Sequence, residues 1–236
     1  MIQLHALDPH RLDFPPVDHA LADPDGLLAF GGDLSPERLI RAYRAGIFPW
    51  YEADQPILWW SPDPRTVIVP GEVHVSRSMK KLLAKQPFTL TFNRAFDQVM
   101  RACAAPRQGA RGTWITQEML SAYNNLHRLG FAHSVEVWQQ QQLVGGLYGI
   151  ALGQVFFGES MFSRVANASK AGFITLAQRL NEQGFKLIDC QVASDHLFTL
   201  GAQQVPRKEF VELLGRYIGD IQPVPGEVWT SPLSVE

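Results

Sequence analysis

The segment HSVEVWQQQQLVGGLYGIALGQVFFGES, residues 133–160, decides the fold. It is rich in β-branched and aromatic residues, and polar and glycine turns divide it into two or three strands. Before it, ITQEMLSAYNNLHRLG reads as a helix entered at Thr116–Met119 and stopped at Gly130. After it, ASKAGFITLAQRLNEQG reads as a helix ending at Gly184, FKLIDCQV as a buried strand and EFVELLGRYI as a last helix. Farther upstream, SRSMKKLLAK has the spacing of a basic amphipathic helix, FTLTF of a strand and AFDQVMRACA of a helix. Strands and helices interleave, which predicts an α+β or α/β domain around one mixed sheet.

The first sixty residues differ from the rest. Ser35-Pro36-Glu37 opens a short helix with a serine cap and a proline in its first turn, and Gly46 closes it. FPWYEADQPILWWSPDPR (Phe48–Arg65) then holds five aromatics and four prolines in eighteen residues, which suits a stiff loop or short edge strands. Pro62 and Pro64 mark a boundary, giving an N-terminal domain over 1–62 and a main domain over 63–236.

Bulk composition excludes several classes. With 46% hydrophobic and 19% charged residues, the chain is expected to fold as a globular protein. No apolar run approaches the roughly 18 residues of a membrane span, and the N-terminus has no secretory pattern. Cys103 and Cys190 stand far apart and the seven histidines are scattered, so a reducing, cytoplasmic setting without a metal site is expected. The net charge of −2 conceals an asymmetry. Residues 1–60 carry nine acids and four bases, whereas Arg65–Arg128 carry ten bases against three acids, about +7. Such a patch either holds a polyanion or forms ordinary solvated helix faces.

Two polar residues interrupt the apolar strand KLIDCQV. Asp189 and Gln191 are two apart, so a regular strand would set them side by side on one face. A buried carboxylate is costly unless it is paired or hydrogen-bonded. One reading is structural, with Asp189 capping the helix near Ser194 and Gln191 bonding backbone. The other is chemical, with an acid and an amide aimed at one reacting group. Glu159, after VFFG, reads either as a turn acid or as a carboxylate for a cationic ligand.

The blocks GLLAFGGDLSPERLIRAYRAGIFPWY (Gly26–Tyr51), WWSPDPR (Trp59–Arg65), RGTWIT (Arg111–Thr116), VGGLYG (Val144–Gly149), FGESMFSRVANASK (Phe157–Lys170) and LIDCQV (Leu187–Val192) resemble the leucyl/phenylalanyl-tRNA–protein transferase family. The resemblance runs in order from about residue 10 to the C-terminus. It implies an enzyme that moves Leu, Phe or Met from aminoacyl-tRNA to the N-terminal Arg or Lys of acceptor proteins, marking them for degradation. It also implies a small N-terminal domain before an acetyltransferase-like (GNAT) main domain. By the same resemblance Asp189 and Gln191 are catalytic, and Glu159 binds the acceptor or supports Gln191. Trp50, Trp114, Leu147, Phe156, Leu176 and Ile188 match aminoacyl and adenosine pocket positions, Leu147 and Leu176 replacing a Met and a Phe of some relatives.

The chemistry agrees with these residue types. An aminoacyl ester is already activated, so neither nucleotide nor metal is needed, and no cofactor is expected. Positioning, proton removal and oxyanion stabilisation remain. Arg77, Lys80, Lys81 and Lys85 share one amphipathic element and suit the phosphates of a tRNA acceptor stem without base readout. A monomer is expected. Two rivals fit less well. An acyl-CoA N-acyltransferase should carry a glycine-spaced pyrophosphate loop where this chain has SRVANASKAG, and an RNA-binding module would not require Asp189 and Gln191 in an apolar strand.

Overall fold

The computed structural model describes residues 4–105, 115–224 and 226–230. The chain opens with a small sheet made of β1 (His5–Leu7), β2 (Leu27–Gly31), β3 (Phe48–Pro49) and β4 (Leu58–Trp60), in the order β1-β2-β4-β3. Helix α1 (Pro36–Arg44) joins β2 to β3. The Ser35 hydroxyl accepts from the Arg38 N–H at 3.4 Å, satisfying a donor the first turn leaves free. Gly46, at φ +76°, turns the chain away from the helix. The Pro- and Trp-rich stretch thus forms one short edge strand, β3, as expected, but its second strand, β4, lies inside the sheet between β2 and β3.

The main sheet has seven strands: β5 (Arg65–Ile68), β6 (Thr89–Phe92), β7 (Ala132–Gln139), β8 (Gln142–Leu152), β9 (Val155–Ser163), β10 (Leu187–Gln191) and β11 (Gln203–Val205). Their order is β11-β5-β10-β9-β8-β7-β6, antiparallel throughout except for the pair β9–β10. Helices α2 (Arg77–Ala84), α3 (Phe96–Ala104), α4 (Gln117–Arg128), α5 (Ala168–Glu182), α6 (Asp195–Thr199), α7 (Arg207–Tyr217) and α8 (Glu227–Thr230) complete the described residues. The α+β class with a mixed sheet and a small N-terminal region is therefore correct. The sequence reading passed over β1, β2, β5, β11 and α8. Each is five residues or fewer, too short for periodicity to register.

Strand alternation sorts the core into two layers. Leu147, Ala151, Phe156 and Ile188 point towards Phe173, Leu176 and Leu180 of α5. Tyr148, Ile150, Val155 and Phe157 point the other way, towards α3, α4 and the N-terminal residues Leu28, Tyr43 and Ile47. The two sheets thus share one apolar cluster. Among the described residues no helix is long and apolar enough to cross a membrane.

What positions the site is a defect in the pleat. Strands β9 and β10 pair over only three residues, from Val155↔Leu187 to Phe157↔Asp189, and then diverge. At that point each carries a bulge. In β9 the partners of Tyr148 and Gly149 are Ser160 and Gly158, which leaves Glu159 as the extra residue. In β10 the partners of Val67 and Thr66 are Asp189 and Gln191, which leaves Cys190 as the extra one. A bulge kinks its strand and re-aims side chains. Gly149 makes the first one sterically possible, since a Cβ there would lie 2.2 Å from the Phe157 carbonyl oxygen.

Candidate active site

Glu159 stands where β9 leaves β10, and three donors surround its carboxylate. The Tyr43 hydroxyl from α1 donates to Oε1 at 2.7 Å, the Tyr123 hydroxyl from α4 to Oε2 at 3.0 Å, and the Gln191 side-chain amide to Oε1 at 3.0 Å. Burial pushes the Glu159 pKa up from 4.5 to about 7, aided by the charge of Asp189, while the tyrosine and glutamine hydrogen bonds pull it back. Tyr43 and Tyr123 are held well above the usual phenol range, first by burial and then by the Glu159 charge, so both remain donors. Their hydroxyls also touch each other. Two hydroxyl protons cannot serve all three contacts while both tyrosines donate to Glu159; with Glu159 protonated, its proton and the two hydroxyl protons suffice for one donor per contact.

Gln191 owes its direction to the bulge. Its backbone is left-handed, at φ +63°, a conformation uncommon for non-glycine residues. Asp189 Oδ1 accepts from the Gln191 backbone N–H at 2.9 Å. Asp189 itself is fully buried and lies under a fork of donors. Arg65 Nε donates to Oδ1 at 2.8 Å and Nη2 to Oδ2 at 2.7 Å. The two polar residues are therefore not presented side by side as alternation would have it. Asp189 faces Arg65 away from the cavity, and Gln191 turns to Glu159. Nor does Asp189 cap α6, because the Ser194 hydroxyl accepts from the Leu197 N–H at 3.3 Å.

A cavity of about 430 Å³ opens beside Glu159 and Gln191. Leu147, Phe156, Leu176 and Ile188 all line it, together with Phe173 and Met161. Four of the six expected pocket residues thus meet around one apolar space. Trp50 does not. It is 47% exposed, tilted against Trp60 at 5.5 Å, and lines a second cavity of about 330 Å³ with Phe48, Trp60 and Pro62. Val192 belongs to both cavities, so they adjoin at that residue. Trp114 lies outside the described residues, as do Arg107 and Arg111.

Arg77, Lys80 and Lys81 on α2 and Lys85 at its C-cap are all exposed, while Met79, Leu82 and Leu83 of that helix pack against Ala171 and Ile174 of α5. Arg65, counted among the surface bases on charge alone, is buried, and Arg101 pairs with Asp97 at 2.6 Å. The basic patch is smaller than its composition suggests. Tyr43, Tyr123 and Arg65 are the residues that sequence reasoning missed. Arg65 and Tyr43 sit inside distinctive blocks, but nothing local to Tyr123 marks it among the core residues of its helix.

The chain can now be set against known proteins. Residues 67–215 match the family model described as leucyl/phenylalanyl-tRNA protein transferase, and residues 32–63 match the model for that family's N-terminal domain. A leucyl/phenylalanyl-tRNA–protein transferase of Pseudomonas fluorescens (strain Pf0-1) is 62% identical over 212 residues, covering 90% of this chain and 94% of the relative. The protein of that name from Teredinibacter turnerae is 58% identical over 235 residues, covering 99% and 91%. Among solved structures, a GCN5-related N-acetyltransferase from Kribbella flavida covers 70% of this chain and 58% of its own at 10% identity, with a TM-score of 0.38. A likeness of that degree carries no argument here. Two family models in register and relatives near 60% identity along almost the whole chain leave one assignment: the chain belongs to the leucyl/phenylalanyl-tRNA–protein transferase family.

Proposed function

We propose that the chain moves a leucyl, phenylalanyl or methionyl group from aminoacyl-tRNA to the N-terminal Arg or Lys of an acceptor protein, which marks that protein for degradation. One observation carries the reading: a buried Glu159 carboxylate, held by Tyr43, Tyr123 and Gln191, at the edge of a largely apolar cavity. In this reading the aminoacyl side chain enters between Leu147, Phe156, Leu176 and Ile188. The neutral amine of the acceptor donates to the Gln191 carbonyl oxygen and attacks the ester carbon. Its lost proton passes to Glu159, and the remaining Gln191 amide N–H faces the oxyanion. Collapse breaks the ester bond, and the ribose oxygen recovers a proton from Glu159, so the protons balance. With both its oxygens engaged by Arg65, Asp189 serves to position Gln191 and does not take the proton.

The terminal adenosine is assigned to the second cavity, on Trp50, where stacking is worth about 1–3 kcal/mol per base. We take 1–62 as the N-terminal domain and 63–236 as the catalytic one, a division supported by the change of sheet after Trp60 and the break between the two family models. The test is transfer of radiolabelled leucine from charged tRNA to an Arg-initiated peptide, with acetyl-CoA as the control donor. Transfer from acetyl-CoA alone would overturn the proposal.

Two results follow from these assignments. Neutralising Lys80, Lys81 and Lys85 together should weaken tRNA binding and flatten its salt dependence by about 0.7–0.9 log units per lost phosphate contact. A minimal aminoacyl-adenosine donor should be far less affected, and equal loss with both donors would remove α2 from the tRNA path. In the cavity, Leu147 is buried and packs among Phe156 and Leu176. Leu147→Ala should shift selection towards Phe by about 1–3 kcal/mol in transition-state binding, read by competing Leu-tRNA and Phe-tRNA on one Arg-peptide.

A further inference from the structure

The Pro-rich junction between the two sheets contributes more than a connection. Arg65 follows Pro64 directly, is fully buried, and spends every nitrogen of its guanidinium. Nε and Nη2 grip the two oxygens of Asp189, and Nη1 donates to the Gly46 carbonyl at the end of α1 at 3.0 Å. Its Cζ lies over the rings of Phe48 and Phe210, 4.8 and 4.6 Å from their centroids. Backbone, carboxylate and two rings fix this cation in a single orientation. We infer that Arg65 is a positioning residue for the transfer reaction: by fixing Asp189 it holds the Gln191 backbone in its left-handed turn, and so aims the Gln191 amide at Glu159.

Three features support the inference, which rests on the transfer reading above. The Gln191 conformation is unfavourable in isolation, and its backbone N–H is held by Asp189 Oδ1 at the residue where the strand bulges. That oxygen is placed by Arg65 Nε, so the orientation of the guanidinium reaches the reacting groups through two hydrogen bonds. Helix α1 also closes a circuit. Near its C-terminal end it supplies Tyr43 to Glu159, and the Gly46 carbonyl just beyond that end accepts from Arg65, which ties both bulged strands to one segment.

A buried ion pair of this kind could serve stability alone, and the test separates the two roles. Replacing both partners of a buried pair by apolar residues of similar volume is often neutral for folding. Arg65→Met combined with Asp189→Leu removes the charges together while deleting the acceptor of the Gln191 N–H. The expected result is a melting temperature near that of the parent and a KM for charged tRNA within a few-fold. The kcat should be about 10²-fold lower, the loss typical of a reacting group displaced by about 1 Å. A folded double variant with kcat within threefold of the parent would overturn the inference. If that variant does not fold, Arg65→Lys decides the matter. It keeps the cation and loses the fork, so kcat should fall about tenfold at unchanged KM. An unchanged kcat with a lowered melting temperature would reduce Arg65 to a structural role. Failure of the parent protein to transfer leucine at all would instead overturn the transfer reading, so the two failures are distinguishable.

Discussion

Glu159→Gln should cost about 10²–10⁴-fold in kcat, the range associated with a positioned proton acceptor. The replacement is nearly isosteric, its carbonyl still accepts from one tyrosine and its amide can donate to the hydroxyl oxygen of the other, so the loss would come from chemistry and not from collapse of the site. The pH profile provides the sharper reading. A carboxylate raised to about 7 must be ionised to take the proton of the amine, so the parent rate should climb through pH 7. The variant should lose that limb and keep only the one from the acceptor amine, near pH 8. Stability should move with it. A carboxyl whose folded pKa of about 7 exceeds its unfolded 4.5 contributes stability fully below 4.5, and this is lost as pH rises through 7. Glu159→Gln should therefore be more stable than the parent at pH 8, with the gain gone near pH 4.5. A variant that keeps the pH 7 limb would transfer the acceptor role to another group.

Gln191→Ala is expected to lower transfer by about 10²-fold or more, with binding of charged tRNA changed only a few-fold. The side chain lines the cavity beside Glu159, with its nitrogen donating to that carboxylate at 3.0 Å. Removing it takes away an oxyanion donor and the acceptor for the incoming amine, and it leaves Glu159 one hydrogen bond poorer. Interactions formed in the transition state affect kcat more than KM. Near-normal turnover in single-turnover experiments at saturating charged tRNA would exclude Gln191 from the chemistry. A rise in KM alone would make it a binding residue.

Local chemistry made much of this protein legible in its sequence. Ser35, Ser76 and Thr116 each accept from a first-turn N–H, as their places before the helices required. The apolar strands from Ala132 to Ser163 and the α5 helix follow from residue type and spacing. The apolar cavity residues were found through the resemblance, because periodicity alone could say only that Phe156 and Ile188 are buried.

Tertiary structure decided the rest, for reasons that no local pattern contains. A period of two put Asp189 and Gln191 on one face, but an extra residue in each of two neighbouring strands broke the period at the point that matters. The partner of Asp189 lies 124 residues away at Arg65, and the tyrosine donors to Glu159 lie 116 and 36 residues away. Charge counting took Arg65 for surface, since a cation reads the same in sequence whether or not a carboxylate waits for it in the core. The sequence determined which elements form and which residues can react. Where β9 and β10 part, and therefore which carboxylate meets the cavity and which is locked beneath it, was decided only when the strands packed, because bulge position depends on contacts between residues far apart in the chain.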